Sequence, residues 1–401
     1  MPSRMTSPKA DIRTINIDAL KEGMFVVSIT SQTGKTSIAQ SGRITQSKQV
    51  TVLKNKGVKV VNVDWSRSVF AEQDSEQKST EISSSSSKPK KRSGESEKQA
   101  AKKLFNEAKS LQTKYFKQLQ QGEPIDIEPM EKAAEGLIDS LENQSNAMLC
   151  LAKIRAKDKY LMEHSLNVGM LLAYFGRSLG MNRTKQKQLL MGGMLHDIGK
   201  INTPDEILHK PGRLTDDEFV IMREHVVHSH NILKEQEGIS KIMLEIASNH
   251  HERLDGLGYP NQLKGDELSA YTRMANIVDC YDALTADRVY KSGMPPTAAF
   301  RILLSGVGTQ FDKALVEKFI RCMGVYPVGT LVKLKSGKLG VVVERNELKP
   351  LQPVIKQVFN TLTNTHTEVK LVDLSKYAHE EIESAVSARD YGISLDRYLS
   401  E

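Results

Sequence analysis

Apolar positions recur at helical spacing through the middle of the chain and give way to Val- and Ile-rich runs towards both ends. In residues 161–179 they fall at 161, 162, 166, 168, 171, 172 and 175, the stripe of an amphipathic helix. Residues 98–119, 273–287 and 297–304 carry the same period, so the pattern predicts helices there. Before this region, 24–30 and 49–63 are rich in Val and Ile, with Gly23 and Gly57 supplying turns, and predict strands. After Pro327, residues 330–334 and 340–344 flank Ser336-Gly337-Lys338 as a hairpin, and 367–372 predict another strand. The fold class is therefore mainly α, an all-helical core with small β-rich N-terminal and C-terminal modules.

Composition divides this pattern into segments. Residues 72–97 are Ser, Lys and Glu with almost nothing apolar, the mark of a flexible tether. The expected organisation is a small β-containing domain over 1–70, a linker over 71–97 and a connecting helix over 98–128. A helical domain over 129–325 and a β-rich extension and tail over 326–401 complete it. Part of the net charge of +7 sits in the linker run Lys88-Pro89-Lys90-Lys91-Arg92, which reads as a solvated tether beside Ser83–Ser87 rather than a nucleic-acid site. Neither flanking module has the charge pattern or helix-turn-helix spacing of a DNA reader. No apolar run reaches the roughly 18 to 20 residues of a membrane span, residues 1–10 lack a secretory apolar stretch, and three scattered cysteines suit reduced thiols. A cytoplasmic protein is the expectation.

The chemistry lies in the histidines. His164, His196-Asp197, His225, His250-His251 and Asp279 punctuate the helical region at intervals of 25 to 32 positions, so several helices must converge to bring them together. Imidazole with carboxylate suits Mn, Fe or Zn, and the absence of a thiolate in the set argues against a structural zinc site. Any one of these histidines alone is more often a packing or surface residue than a ligand. His196-Asp197 carries more weight: a buried His-Asp pair is costly unless it is paired or metal-bound. The tandem His250-His251-Glu252 runs into Asp255-Gly256-Leu257-Gly258-Tyr259-Pro260, a tight loop where backbone can approach a ligand. His209, His228, His230, His366 and His379 have no partner in either motif.

His196-Asp197-Ile-Gly-Lys200 and His250-His251-Glu252-Arg-Leu-Asp255-Gly256-Leu-Gly258-Tyr259-Pro260 resemble the two defining motifs of HD-GYP domains. The likeness continues through Lys210-Pro-Gly-Arg-Leu-Thr215 and Asp279-Cys-Tyr-Asp282-Ala-Leu-Thr-Ala-Asp-Arg288-Val-Tyr-Lys291 and spans roughly residues 140–325. The region around Leu20-Lys-Glu-Gly-Met24 looks like a small domain often found ahead of HD-GYP domains. The resemblance implies a bacterial signalling phosphodiesterase that opens cyclic di-GMP to linear pGpG and onward to GMP, with cyclic GMP-AMP as a related substrate. It also implies contacts with diguanylate cyclase domains through the Gly-Tyr-Pro loop.

The resemblance further implies one divalent ion, Fe or Mn, held by His164, His196, Asp197 and Asp279, with Asp197 bridging to a second held by His225, His250 and His251. Such a pair activates a water and clamps an in-line displacement at phosphorus. Lys200 is expected to neutralise a phosphate oxygen, and Asp282, three residues after Asp279 on one helical face, to orient or deprotonate the nucleophile. Tyr259, Arg288 and Lys291 are expected beside the dinucleotide, and Glu252 to support the ligands from behind. Two departures stand out. Tyr160 occupies the place, one turn before His164, where some members supply a Glu to a third metal, so two metals are expected. After His225 the chain has Val226 and Ser229 where the family commonly has Pro and Gly. Two competing readings are a catalytically weak dinucleotide sensor or adaptor acting through the loop, and a general HD nucleotide phosphohydrolase, which leaves the 250–260 motif unexplained.

Overall fold

The computed structural model describes residues 12–32, 42–44, 47–64, 94–153, 160–286, 293–377 and 379–399. The chain divides after residue 89 into two compact units. In the first, β1 (Ile12–Asn16), β2 (Phe25–Gln32), β3 (Gly42–Arg43), α1 (Ser47–Asn55) and β4 (Val58–Asp64) follow in order. The strands form one antiparallel sheet in the order β1-β4-β2-β3. Met24, Val26, Val58, Val61 and Val63 make its core, and Val50 and Leu53 of α1 pack against them. The strand expected over 49–63 is thus corrected in its first half. Val50 and Leu53 lie three apart and share a helical face, and Gly57, at φ 80°, turns the chain into β4.

The second unit opens with α2 (Gly94–Gln120), so residues 94–97, expected as linker, begin a helix instead. The rest of the expected linker lies outside the described residues. Ala101, Phe105, Ala108, Tyr115 and Phe116 line one face of α2 and bury against Met130, Ala134, Leu137 and Ile138 of α3 (Glu128–Lys153). Next come α4 (Tyr160–Ser178), α5 (Arg183–Leu195), α6 (Asp205–Leu208), α7 (Asp216–Arg223), α8 (His225–Lys234) and α9 (Lys241–Asn249). Then follow α10 (Ala270–Thr285), α11 (Pro296–Ser305) and α12 (Lys313–Met323). Side-chain caps from Asn182, Thr215, Ser240, Ser269 and Asp312 start α5, α7, α9, α10 and α12, satisfying amides that a helix leaves open.

Strands β5 (Leu331–Leu334), β6 (Lys338–Glu344), β7 (Val354–Asn360), β8 (Thr365–Asp373) and β9 (Ile382–Ala385) form an antiparallel sheet in the order β8-β7-β6-β5-β9. The last helix is α13 (Asp396–Leu399). The expected hairpin pairs Leu331 with Val341 and Lys333 with Leu339. Leu339, Val341, Val358 and Phe359 of this sheet bury into the same core as Phe175, Tyr281 and Phe319 of the helices. No helix among the described residues is long and apolar enough to cross a membrane.

The packing of α4 on α5 positions the site, because α4 carries His164 and α5 leads into His196. Gly169 and Gly193 let the two backbones touch: a Cβ on Gly193 would stand 2.5 Å from Gly169 Cα. Gly193→Ala must push the helices apart, at a cost of about 1–3 kcal/mol. Thermal unfolding should show a clear fall in Tm, and an unchanged Tm would contradict this packing.

Candidate metal centre

The site forms where helices end. His196 caps the C-terminus of α5, and Asp197 starts the tight 3-10 turn Ile198–Asn202 that carries Lys200. His225 opens α8, His250 caps α9 with His251 next, and Asp279 lies within α10 facing His164 of α4. Gly199 lets the turn press onto α8, since a Cβ there would lie 2.0 Å from His225 O. The buried Ser229 hydroxyl locks this contact, donating to His196 O at 3.0 Å and accepting from Gly199 N at 2.9 Å. Ser229 thus ties the helix that carries His225 to the His-Asp turn.

Asp197 is 1% exposed and its two oxygens look in different directions. Oδ2 lies 3.4 Å from His196 Nε2 and 3.8 Å from His164 Nε2. Oδ1 lies 3.3 Å from His225 Nε2 and 3.8 Å from His250 Nε2. Asp279 Oδ1 approaches His164 Nε2 at 3.0 Å and His196 Nε2 at 4.0 Å. Donor atoms of His164, His196 and Asp279 lie within 4.8 Å of one another, and so do those of His225, His250 and His251. His196, Asp197 and His250 form a third such group that joins the two sets.

The outer ring nitrogens show which atoms remain for a ligand. Nδ1 of His196 donates to Gly193 O at 2.7 Å, that of His225 to Met222 O at 2.6 Å, and that of His250 to Ile246 O and Ala247 O at 3.2 Å. Each ring therefore turns an unprotonated Nε2 inward. His225 Nε2 and His250 Nε2 face each other at 3.4 Å, and His196 Nε2 and Asp197 Oδ1 are buried with no hydrogen-bond partner among the described residues. Buried acceptors of this kind, left without donors, fit a divalent cation. Burial pushes His225 down to about 3 and His251 to about 4, and holds His250 well below the usual range, so these rings stay neutral. Burial opposes ionisation of Asp197, yet Lys200 and the imidazoles of His196, His225 and His164 hold its carboxyl well below the usual range. Without a cation, burial also opposes protonation of His164, but the hydrogen bonds its ring donates to Asp279 and Asp282 push it up to about 9. Cys280 stays a thiol, pushed up to about 12 by burial and Asp279, so the donor set is nitrogen and oxygen.

The expected residues do not all stand where their roles placed them. Asp282 accepts from His164 Nδ1 at 2.7 Å and is 2% exposed, on the side of the ring away from the inward Nε2. That position suits orienting His164 rather than handling the nucleophile. Lys200 Nζ reaches Asp197 Oδ2 at 2.6 Å, and the side chains of Lys200 and Asp279 keep 19% and 14% exposure while those of His164, His196 and Asp197 keep 5% or less, so the site opens on their side. Glu252 accepts from Asn261 N at 2.6 Å and Leu263 N at 3.1 Å, which fixes the loop after Tyr259 rather than a histidine. Tyr259 stacks on His251 with ring centroids 4.8 Å apart. Arg288, Lys291 and the Tyr160 side chain lie outside the described residues.

Sequence reasoning missed several supports. Buried Glu163 pairs with Lys109 of α2, and Gln112 Nε2 donates to Met194 O at 2.8 Å, so α2 braces both helices that deliver the first ligands. Arg223, the last residue of α7, lies with its Cζ 4.4 Å from the Tyr259 ring centroid. A charge at the end of a short helix carries no periodic signal.

Residues 143–315 match the HD domain family, and residues 12–130 match a domain of unknown function (DUF3391). The chain is 34% identical to a cyclic di-GMP phosphodiesterase of Pseudomonas aeruginosa over 68% of this chain and 66% of the relative. It is 40% identical to a 3'3'-cGAMP-specific phosphodiesterase of Vibrio cholerae over 45% of this chain and 42% of the relative. With a cyclic di-GMP phosphodiesterase of Thermotoga maritima the identity is 34% over 48% and 53%. The chain spans less than two thirds of the length of each of these relatives.

Replacing Asp282 by Asn removes the carboxylate that fixes the His164 tautomer. Divalent-metal affinity should fall about 10- to 100-fold with the fold retained, measured by metal titration alongside circular dichroism. Unchanged affinity would contradict the orienting role.

Proposed function

We propose that this chain, whose residues 143–315 match the HD domain family, is a metal-dependent phosphodiesterase of the HD-GYP type that hydrolyses cyclic di-GMP to linear pGpG and onward to GMP. The observation that carries this reading is the Asp197 carboxylate, one oxygen turned to His164 and His196, which group with Asp279, and the other to His225 and His250, which group with His251. We take these as two cation sites sharing Asp197, with Tyr160 in place of a third-site carboxylate. The nitrogen and oxygen donors favour Fe or Mn.

Ions held there would supply an activated water and neutralise charge on the phosphodiester. The protein's own groups do the rest. Lys200 is the cation at the open side and is placed to meet a phosphate oxygen as charge develops on it. Asp282 keeps His164 in the tautomer whose Nε2 faces inward. Tyr259 roofs His251 and, with Arg288 and Lys291, is expected to hold the dinucleotide. Burial of His164, His196, His225 and His250 limits the access of bulk water to their inward nitrogens.

In this reading residues 129–325 are the catalytic domain, the flanking modules regulate it, and the enzyme lowers a cytoplasmic second messenger. The loop through Gly256 and Tyr259, with Leu257 76% exposed, is the surface we expect to meet cyclase domains. The names of the relatives divide between cyclic di-GMP and cyclic GMP-AMP, and the site's metal and phosphate chemistry suits both substrates.

Anaerobically reconstituted protein should convert cyclic di-GMP to pGpG and GMP, with His196→Ala and Asp197→Ala slower by at least about 100-fold. Chromatography of the products reads this directly. Metal-loaded protein that binds cyclic di-GMP and leaves it intact would overturn the reading in favour of a sensor.

A further inference from the structure

Arg223 has a place in the site but no partner that explains it. It is half-buried at the end of α7, and its guanidinium has no hydrogen bond or ion pair among the described residues. Two nearby acids are engaged elsewhere: Glu218 holds Lys210, and Glu224 faces His228. Two aromatic rings fix it instead. Its Cζ lies 4.4 Å from the Tyr259 centroid and 5.8 Å from that of Phe219, and these two rings meet edge to face at 6.4 Å. Tyr259 in turn stacks on His251. A cation stacked on rings keeps the donors of its guanidinium edge free, and two aromatic contacts hold it in one orientation.

We infer that Arg223 reads a purine base of the substrate and makes guanine the preferred base, an inference that rests on the phosphodiester reading above. Tyr259 links Arg223 to His251, which is grouped with His225 and His250, so a substrate whose phosphate meets that cluster brings its outer part towards the guanidinium. The group that meets Arg223 belongs to the outer part of the substrate. Guanine offers two acceptors, O6 and N7, on one edge, which match two guanidinium N–H donors. Adenine offers one acceptor and an amino donor there, and the donor opposes a guanidinium. Phe219, 47% exposed beside it, gives the base an apolar wall.

The test uses the metal-loaded full chain with cyclic di-GMP and cyclic di-AMP as probes, and Kd by calorimetry as well as KM and kcat. In Arg223→Met the preference for cyclic di-GMP over cyclic di-AMP should shrink by about 10-fold or more, through Kd and KM rather than kcat, with metal content unchanged. Arg223→Lys should recover little, because an ammonium cannot make the paired contact. Loss of bound metal, or an equal loss for both probes, would show that Arg223 only props Tyr259 and His251 and would overturn the inference. An unchanged preference would overturn it too. Wild-type protein that binds cyclic di-GMP without cleaving it would sink the phosphodiesterase reading alone, since the Kd comparison still tests Arg223.

Discussion

The site depends on a carboxylate held where a carboxylate is costly. Asp197 is buried among imidazoles, and burial alone would drive it neutral. Lys200 at 2.6 Å offsets part of that cost, yet Oδ1 remains without a hydrogen-bond donor. A divalent cation held beside it would complete the balance, because opposite charge at close range is what a desolvated anion lacks. The turn at Gly199, the Ser229 bridge and the Gly169–Gly193 contact all serve to keep this one group in place.

The surrounding histidines share one device. His196, His225 and His250 each bond their Nδ1 to a carbonyl in the last turn of the preceding helix, so helix termini, which leave carbonyls open, choose the tautomer. His164 lies inside a helix whose carbonyls are already used, and Asp282 replaces them. His251 is the exception: its ring is held by stacking on Tyr259. The Gly-Tyr-Pro loop therefore touches the histidine cluster directly, while Glu252 holds that loop through two backbone amides.

Much of the architecture was legible because long periodic segments leave little choice: the stripe over 161–179 became α4, and the apolar runs flanking Ser336-Gly337-Lys338 became a hairpin. Short elements were not. The run over 49–55 is Val-rich enough for a strand, but packing of Val50 and Leu53 on the sheet made it helical. Strands β7 and β9 were missed, one interrupted by Lys356 and Gln357 and the other only four residues long. The seven ligand candidates came from the resemblance of the two motifs to HD-GYP domains, and their donor atoms gather in overlapping groups. The role of Asp282 was not legible, because spacing places it on one face with Asp279 but cannot say which nitrogen of His164 each acid takes. Arg223 was illegible for a related reason, since its meaning comes from Tyr259, thirty-six positions away.

The most direct test of the shared carboxylate is electron paramagnetic resonance of the manganese-reconstituted full chain, with the metal counted in the same sample. Two ions per chain with a spin-coupled spectrum are expected, and Asp197→Asn should abolish the coupling. A single isolated ion, three ions per chain, or coupling that survives loss of the Asp197 carboxylate would contradict the account.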